Sequence, residues 1–210
     1  VHRHVSWIDV SVPLLAHAPA WPGDTPFEVR WTWTQDVGAS VNVSAMTLSP
    51  HVATHADAPY HVRSDWAMSD KLPVDAFIGP CTVLDVSGED GALALGRLGA
   101  LPATQRILLK TGRTVAGGAF PDAWPWLEPE AVRELVQRGL RLLGVDAPSV
   151  DARESTTLDV HHALFSGGAF NIENLDLRHV GPGEYELFAL PLAVVGLDAA
   201  PVRALLRPRT

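Results

Sequence analysis

The chain has 210 residues, of which 47% are hydrophobic and 19% are charged, and its formal net charge is -8. Length and composition favour one domain over residues 1–210 with a sizeable buried core, and they argue against global disorder. The negative charge, without any cluster of lysine and arginine, argues against nucleic acid and an anionic membrane surface as partners.

The first half of the chain is dominated by predicted strands. Alternating apolar and polar residues or short apolar runs predict strands at residues 6–12, 27–34, 41–48, 81–86 and 106–110. Trp31 and Trp33 alternate along the second of these strands, so we expect one in the core and the other at its rim. Surface loops are predicted at residues 88–99 and 112–126.

The second half mixes helix and strand. Pro129 suits the first turn of a helix, and apolar residues at a spacing of 3.6 predict that helix over residues 128–140. A second helix is predicted over residues 155–165, with Asp151 and Glu154 resembling a capping box before it. Further strands are predicted at residues 141–146, 185–189 and 192–195, with a short element at 202–207. The pattern predicts an α/β fold with a mixed, strand-rich core.

Cys81 is the only cysteine and lies in an apolar run, which predicts a small buried side chain and excludes an internal disulfide. One free thiol is typical of a reducing compartment. No apolar run is long enough to span a bilayer and no signal peptide is recognisable, so we expect a cytoplasmic protein with no membrane contact. Four histidines receive no role and are expected in loops or at the surface: His2, His4, His17 and His179.

The segment from residue 51 to residue 61 concentrates metal-ligand chemistry, with His51, His55, Asp57 and His61 within eleven residues. Imidazole and carboxylate are ligands of zinc and similar divalent ions. A straight strand would spread these groups over about 33 Å, and a helix would send Asp57 to a different face. We therefore expect a bend after residue 50 that brings His51, His55 and Asp57 around one ion.

Three protein ligands leave an open position, where a metal can make hydroxide available at neutral pH. His61 is either another ligand or, as we prefer, a general acid and base. The Asp57 carboxylate has two oxygens and can bridge to a second ion. Further ligands for that ion are available on the second helix and the strand after it, namely His161, His162 and Glu173. Asp146 is a candidate for supporting these ligands from behind.

The pattern His51-x-x-Thr54-His55-x-Asp57-x-Pro59-x-His61 closely resembles the signature of the metal-dependent cyclase-like hydrolases. Residues 21–26, 144–149, 185–187 and 189–192 extend the resemblance to the bacterial kynurenine formamidases (arylformamidases). It implies a homodimer with a swivelling β/β/α-type fold and two zinc ions per subunit, although manganese and other divalent ions suit the same donors. Two residues depart from the pattern: Ala53 replaces the signature glycine, and Thr156 stands where the family often has lysine.

The resemblance also implies a reaction and a role for each site residue. The reaction is hydrolysis of N-formyl-L-kynurenine, an aryl formamide, to L-kynurenine and formate. The alternatives are a related cyclic amide or imide hydrolase, such as an isatin hydrolase-like enzyme, or a non-catalytic metal-binding protein. His61 would be the proton shuttle, and Trp21 would line the pocket and face the aromatic ring of the substrate. The first zinc would bind His51, His55 and Asp57, and the second would bind Asp57, His161 and Glu173.

Overall fold

The structure is a computed structural model that describes residues 6–101 and 103–209, so the loop assignment of His2 and His4 lies outside the described residues. The helices are α1 (Pro129–Gln137) and α2 (Asp159–Ser166). The strands are β1 (Ile8–Asp9), β2 (Glu28–Trp33), β3 (Val43–Thr47), β4 (His55–Asp57), β5 (Ile78–Asp85), β6 (Ala92–Leu93), β7 (Arg106–Lys110), β8 (Trp126–Leu127), β9 (Leu142–Val145), β10 (Phe170–Ile172), β11 (Gly183–Phe188), β12 (Ala199–Pro201) and β13 (Leu205–Pro208).

A seven-stranded sheet in the order β1-β13-β11-β5-β7-β9-β10 forms the centre of the fold. Strands β5, β7, β9 and β10 run parallel to one another, whereas β11, β13 and β1 extend the sheet with antiparallel pairings. Three two-stranded pieces surround it: β2 with β3, β4 with β12, and β6 with β8. The predicted α/β class with a mixed, strand-rich core is confirmed.

Both faces of the central sheet are covered, which explains the uninterrupted apolar run in β7. Successive side chains of a strand point to opposite faces. Ile107 and Leu109 accordingly belong to the cluster that contains residues of both helices, while Leu108 belongs to the cluster on the other face. In α1, the predicted apolar stripe buries Val132 and Leu135. Each such side chain contributes roughly 1.5–3 kcal/mol through burial.

Several predicted boundaries are wrong for identifiable reasons. The second helix begins at Asp159 rather than at residue 155, because Leu158 has a φ of +50° and cannot belong to a right-handed helix. Residues 192–195 form no strand; near them only Pro191 makes an isolated bridge, to Val202. The predicted surface loop over residues 112–126 includes Trp124, whose side chain is buried.

The hairpin formed by β2 and β3 contradicts the expectation for its tryptophans. Trp31 and Trp33 are 62% and 57% exposed, so neither lies in the core. Along a strand, neighbouring side chains point to opposite faces, whereas side chains two residues apart point to the same face. In addition, the hairpin pairs with no other strand in the part of the chain that the structure describes. Among the described residues, no helix is long and apolar enough to cross a membrane.

The carboxyl ends of β9 and β10 and the small β4–β12 ladder converge at one place. His55, in β4, forms an isolated antiparallel bridge with Glu173, directly after β10. Two backbone hydrogen bonds of 3.3 Å and 3.0 Å join these two residues. The start of α2 also lies here, because the Asp151 carboxylate after β9 accepts hydrogen bonds from the backbone N–H groups of Val160 and His161. This junction positions the site.

Candidate metal centre and active site

The chain bends directly after Pro50. Residues 51–54 form a turn, β4 follows, and a 3₁₀ turn spans Pro59–His61. Within the first turn Ala53 adopts the left-handed conformation, with a φ of +61°. Its carbonyl oxygen lies 2.9 Å from Nδ1 of His55. This contact leaves Nε2 of His55 facing the rest of the cluster.

Asp57 lies at the centre of the cluster and is fully buried. Its Oδ1 is 3.0 Å from Nδ1 of His51 and 3.4 Å from Nε2 of His55. Its Oδ2 is 3.1 Å from Nε2 of His161, which lies 104 positions further along the chain. The two oxygens of one carboxylate therefore face two different sets of imidazoles.

Glu173 completes the second set and also contacts the first. Its Oε1 is 3.2 Å from Nε2 of His161, and its Oε2 is 3.4 Å from Nε2 of His55. The backbone N–H of Val150 donates to Oε1 at 2.9 Å and restrains the carboxylate. His162, the alternative to His161, packs against Trp66 instead, with ring centroids 5.7 Å apart. The structure thus brings together the five residues for which metal ligation was predicted.

Two carboxylates that the sequence analysis did not assign to the site hold its histidines. Asp151 lies 2.6 Å from Nδ1 of His161, and Asp198 lies 2.9 Å from Nε2 of His51. A carboxylate behind a ligating histidine fixes the orientation of the ring and raises its basicity. The sequence contained one relevant signal, which is the position of Asp151 just before the predicted second helix. It was interpreted only as a helix cap.

Asp146 does not support the ligands, contrary to the prediction. Its carboxylate accepts hydrogen bonds from the backbone N–H groups of Thr111 and Gly112, at 2.7 Å and 3.0 Å. Asp146 therefore joins the ends of β7 and β9. The position of Asp146 at the end of a strand correctly indicated that it lies at the edge of the sheet. The local sequence does not show which of the acidic side chains faces the histidines.

His61 lies at the border between the buried cluster and the cavity. Its side chain is 29% exposed, and its Nδ1 is 3.6 Å from Oδ2 of Asp198. Its ring centroid is 4.4 Å from that of His51 and 5.7 Å from that of His161. This position suits a group that contacts a bound molecule next to the buried cluster.

Imidazoles and carboxylates of the cluster shift one another's pKa values. Burial opposes the protonated form of His55, but the attraction of the Asp57 carboxylate outweighs it and raises the pKa of His55 to about 10. Burial likewise opposes protonation of His51, yet a hydrogen bond to Asp198 and the nearby Asp57 carboxylate raise its pKa to about 9. Burial also disfavours ionised Glu173, but the nearby rings of His161 and His55 help to lower its pKa to about 2. The carboxylates are therefore ionised and require cations.

Unpartnered atoms show where an ion fits. Nε2 of His55 and Oδ1 of Asp57 are buried and have no hydrogen-bond partner among the described residues. Such atoms are costly to bury, and a divalent ion would satisfy both. Ligand atoms lie within 4.8 Å of one another in two groups, which are His51, Asp57 and His61, and His55, Asp57 and Glu173. Imidazole nitrogens with carboxylate oxygens are donors that zinc accepts, so the residues present fit a divalent metal.

A cavity of about 670 Å³ opens above the cluster. Its lining includes the predicted Trp21 together with Phe120, and the two rings meet edge to face with centroids 5.4 Å apart. Trp124 packs behind them, 6.1 Å from Trp21. No role was predicted for the segment that contains Phe120, because a single phenylalanine in a loop carries no periodic signal.

The family model described as putative cyclase matches residues 8–152. The chain belongs to this cyclase family. A relative within it is the kynurenine formamidase of Salinibacter ruber (strain DSM 13855 / M31), which is 44% identical over 206 residues. That match covers 95% of this chain and 96% of the relative. The resemblance inferred from the residue 51–61 signature is therefore confirmed.

Solved structures agree with the cyclase-family assignment. A structure described as a potential metal-dependent hydrolase with cyclase activity matches with a TM-score of 0.82 and 28% identity, covering 98% of both chains. Isatin hydrolase A from Labrenzia aggregata matches with a TM-score of 0.79 at 24% identity, covering 98% of this chain and 94% of that one. The predicted fold class, the swivelling β/β/α-type fold, is confirmed by this agreement.

Ala53 stands at a position that requires a positive φ, so its substitution has predictable consequences. Left-handed backbone costs an L-residue about 1–2 kcal/mol, and a β-branched residue is worse. Ala53 is also packed among Val12, Val52 and Val115. We expect Ala53→Val to lower the free energy of unfolding by about 3 kcal/mol, the sum of strain and overpacking.

The matched control for this prediction is Ala53→Gly. Relief of the left-handed strain is offset by a lost buried methyl of about 0.8 kcal/mol and by added backbone freedom of roughly 0.5–1 kcal/mol. Ala53→Gly should therefore stay within about 1 kcal/mol of wild type. Urea unfolding of the metal-saturated proteins measures both values. Equal stability of the valine and glycine variants would contradict the argument.

Metal affinity of this cyclase-family cluster should fall as the pH is lowered. The raised pKa values of His51 (about 9) and His55 (about 10) mean that both rings hold protons at neutral pH without metal. An ion must displace these protons, since only neutral imidazole ligates. The carboxylates stay ionised over the same range and add no opposing dependence. We expect zinc affinity to drop at least about tenfold per pH unit from pH 9 to pH 6.

Competition titration of zinc against a chromophoric chelator, at fixed ionic strength and several pH values, measures this dependence. The chelator's own pH dependence is determined in parallel as the control. An affinity that is flat between pH 7.5 and pH 9 would show that the histidines are already neutral in the metal-free protein.

Proposed function

We propose that the chain is a metal-dependent arylformamidase that hydrolyses N-formyl-L-kynurenine to L-kynurenine and formate. The observation that carries this proposal is the 44% identity, over 95% of the chain, to a curated kynurenine formamidase. The His/Asp/Glu cluster beneath an aromatic-lined cavity supports it. The isatin hydrolase likeness, at 24% identity, concerns the fold alone.

We further propose zinc as the metal, with two ions per subunit. When bound, such ions act as Lewis acids and make hydroxide available at neutral pH. Manganese and other divalent ions suit the same donors. The first ion would be held by His51, His55 and Asp57, and the second by Asp57, His161 and Glu173.

The side chains of the protein would orient the substrate and move the proton. Hydrolysis forms a bond from a water oxygen to the formyl carbon and breaks the bond from that carbon to the aniline nitrogen, which gains a proton. The Asp198 carboxylate near Nδ1 of His61 favours a ring orientation that leaves Nε2 free. Nε2 of His61 would take the proton from water and deliver it to the departing nitrogen.

Trp21 and Phe120 would hold the aromatic ring of the substrate. Aromatic rings attract one another in offset or edge-to-face geometry, in addition to the apolar area that they bury. The cavity volume of about 670 Å³ lies within the roughly 300–1,000 Å³ that is usual for small-molecule sites. A one-ring substrate therefore fits beside the cluster.

The proposed function is tested with metal-replete protein and a panel of substrates. Metal content is measured by elemental analysis, and loss of N-formyl-L-kynurenine is followed by absorbance. Hydrolysis of the formamide, abolished by chelation and restored by zinc, would support the proposal. Activity on isatin without activity on the formamide would favour the cyclic-amide alternative, and bound metal without amide hydrolysis would favour a non-catalytic protein.

We propose that the β2–β3 hairpin forms the contact of a homodimer. Val29 and Trp31 share one face of β2, and Met46 lies opposite Val29 on β3. All three side chains are exposed. A contiguous exposed apolar surface of this kind is typical of an interaction site, and a homodimer is what the family resemblance implies.

The hairpin proposal predicts the behaviour of a double variant, Trp31→Ser with Trp33→Ser. We expect this variant to sediment as a monomer at concentrations where the wild type is a dimer, because the apolar contact is lost. Arg30→Ser, on the opposite face of β2, is the control and should remain dimeric. A dimer of unchanged stability in the double variant would place the interface elsewhere.

A cytoplasmic location and a single domain over residues 1–210 stay predictions.

Cys81 is free and buried in the structure, as expected from its apolar neighbours. Burial in apolar surroundings raises the pKa of its thiol to about 12, which makes the side chain unreactive.

A further inference from the structure

Asn171, at the middle of β10, lies inside the proposed second metal site. Its backbone belongs to the parallel ladder with β9, and its side chain is fully buried. Nδ2 of Asn171 lies 2.6 Å from Oδ2 of Asp57, 3.1 Å from Oε1 of Glu173 and 3.3 Å from Nε2 of His161. One amide group therefore touches each of the three ligands proposed for the second ion.

Nδ2 of Asn171 and Nε2 of His161 each lie 2.6–3.2 Å from the two facing carboxylate oxygens, Oδ2 of Asp57 and Oε1 of Glu173. Nε2 of His161 lies 3.1 Å from Oδ2 of Asp57 and 3.2 Å from Oε1 of Glu173. Oxygen or nitrogen atoms that bind zinc tetrahedrally at about 2.0–2.2 Å lie roughly 3.3–3.6 Å apart. The end of the Asn171 side chain therefore occupies the place of a fourth ligand.

The orientation of the amide depends on what lies among these atoms. In the structure, the amino end of Asn171 faces the two carboxylates, and Oδ1 is buried with no hydrogen-bond partner among the residues described. Once a cation lies among the same atoms, the N–H groups would point their positive ends at it. The two ends of a carboxamide have nearly the same shape, so rotation of the group presents Oδ1 to the cation instead.

We propose that Asn171 binds the second metal ion through Oδ1, as the fourth protein ligand beside Asp57, His161 and Glu173. This inference rests on the two-metal function proposed above. Four protein ligands close the second site, whereas the first site keeps the open position that hydrolysis requires. The two ions therefore differ in role, and the second is held more permanently than the first.

The test measures zinc binding and ligand geometry rather than turnover. Zinc per subunit and its affinity are measured by elemental analysis and chelator competition for the wild type, for Asn171→Leu and for Asn171→Asp. Asn171→Leu keeps a similar volume without a donor, and Asn171→Asp keeps an oxygen at the same position. Ile172→Val, in the same strand, is the control for a general effect on folding.

The expected result is that Asn171→Leu binds one of the two ions at least about tenfold more weakly, while Asn171→Asp and Ile172→Val keep both. A crystal structure of the zinc-loaded wild type should show Oδ1 of Asn171 bound to the second ion. Two ions bound with unchanged affinity in Asn171→Leu, or water in place of Oδ1, would overturn the inference but leave the proposed function intact. A wild type that binds no metal would overturn both.

Discussion

Replacement of Asp57 by asparagine is expected to remove metal from both sites and to lower kcat/KM by at least about a thousandfold, or roughly 4 kcal/mol of transition-state stabilisation. Asp57 is buried, with one oxygen facing His51 and His55 and the other facing His161. Asparagine has nearly the same shape but no charge. The substitution therefore removes the anion that both imidazole sets surround, and it leaves Glu173 as the one carboxylate that faces both His55 and His161.

Elemental analysis and formamide hydrolysis measured on the same preparation test this expectation. Asp146→Asn is the matched control, since it neutralises another buried carboxylate, which serves Thr111 and Gly112. The control should lose stability but keep its metal. An Asp57→Asn variant that retains two ions and normal turnover would show that the carboxylate does not bridge.

Replacement of His61 by asparagine is expected to lower kcat by about 10²–10⁴-fold, the usual contribution of a positioned acid or base. Metal content should not change, because His61 lies at the border of the cavity rather than within the buried cluster. Asp198→Asn should have a smaller effect on kcat, about tenfold, since it releases the orientation of the His61 and His51 rings rather than removing a ring.

Rate and metal content together separate the roles open to His61. Loss of metal along with activity would make His61 a ligand, an alternative that its grouping with His51 and Asp57 allows. Full turnover with full metal content would exclude it as the proton carrier. His162→Asn, whose ring packs on Trp66 instead, is the control and should behave as the wild type.

The parts of the fold that follow from local pattern were predictable. Residues 106–110 alternate between two buried faces, and the structure places β7 at the predicted bounds. The residue types of the 51–61 segment also indicated metal-ligand chemistry from local sequence alone. Histidines and an aspartate so close together in the sequence are not expected in a packed core. The bend after Pro50 followed from chain geometry, since neither strand nor helix brings those side chains together.

The remainder depended on contacts across the chain that no local pattern encodes. Asp198 contacts His51 although 147 positions separate the two residues in the sequence. Asn171 is the single polar residue of an otherwise apolar strand, β10. Exposure of Trp31 depends on whether another element covers its strand, which alternation alone does not reveal. Leu158 adopts a positive φ that its side chain disfavours, so the start of α2 could not be inferred from its sequence.

The centre joins residues 51–57 to residues 161–173, and a carboxylate at position 198 holds one of its rings. During synthesis, the amino-terminal histidines therefore leave the ribosome long before their partners exist. A nascent chain has no complete set of donors until residue 173 has emerged and β10 has docked. Capture of the proposed ions would thus be a late event in biogenesis, and metal retention would report that the strands which complete the centre have assembled correctly.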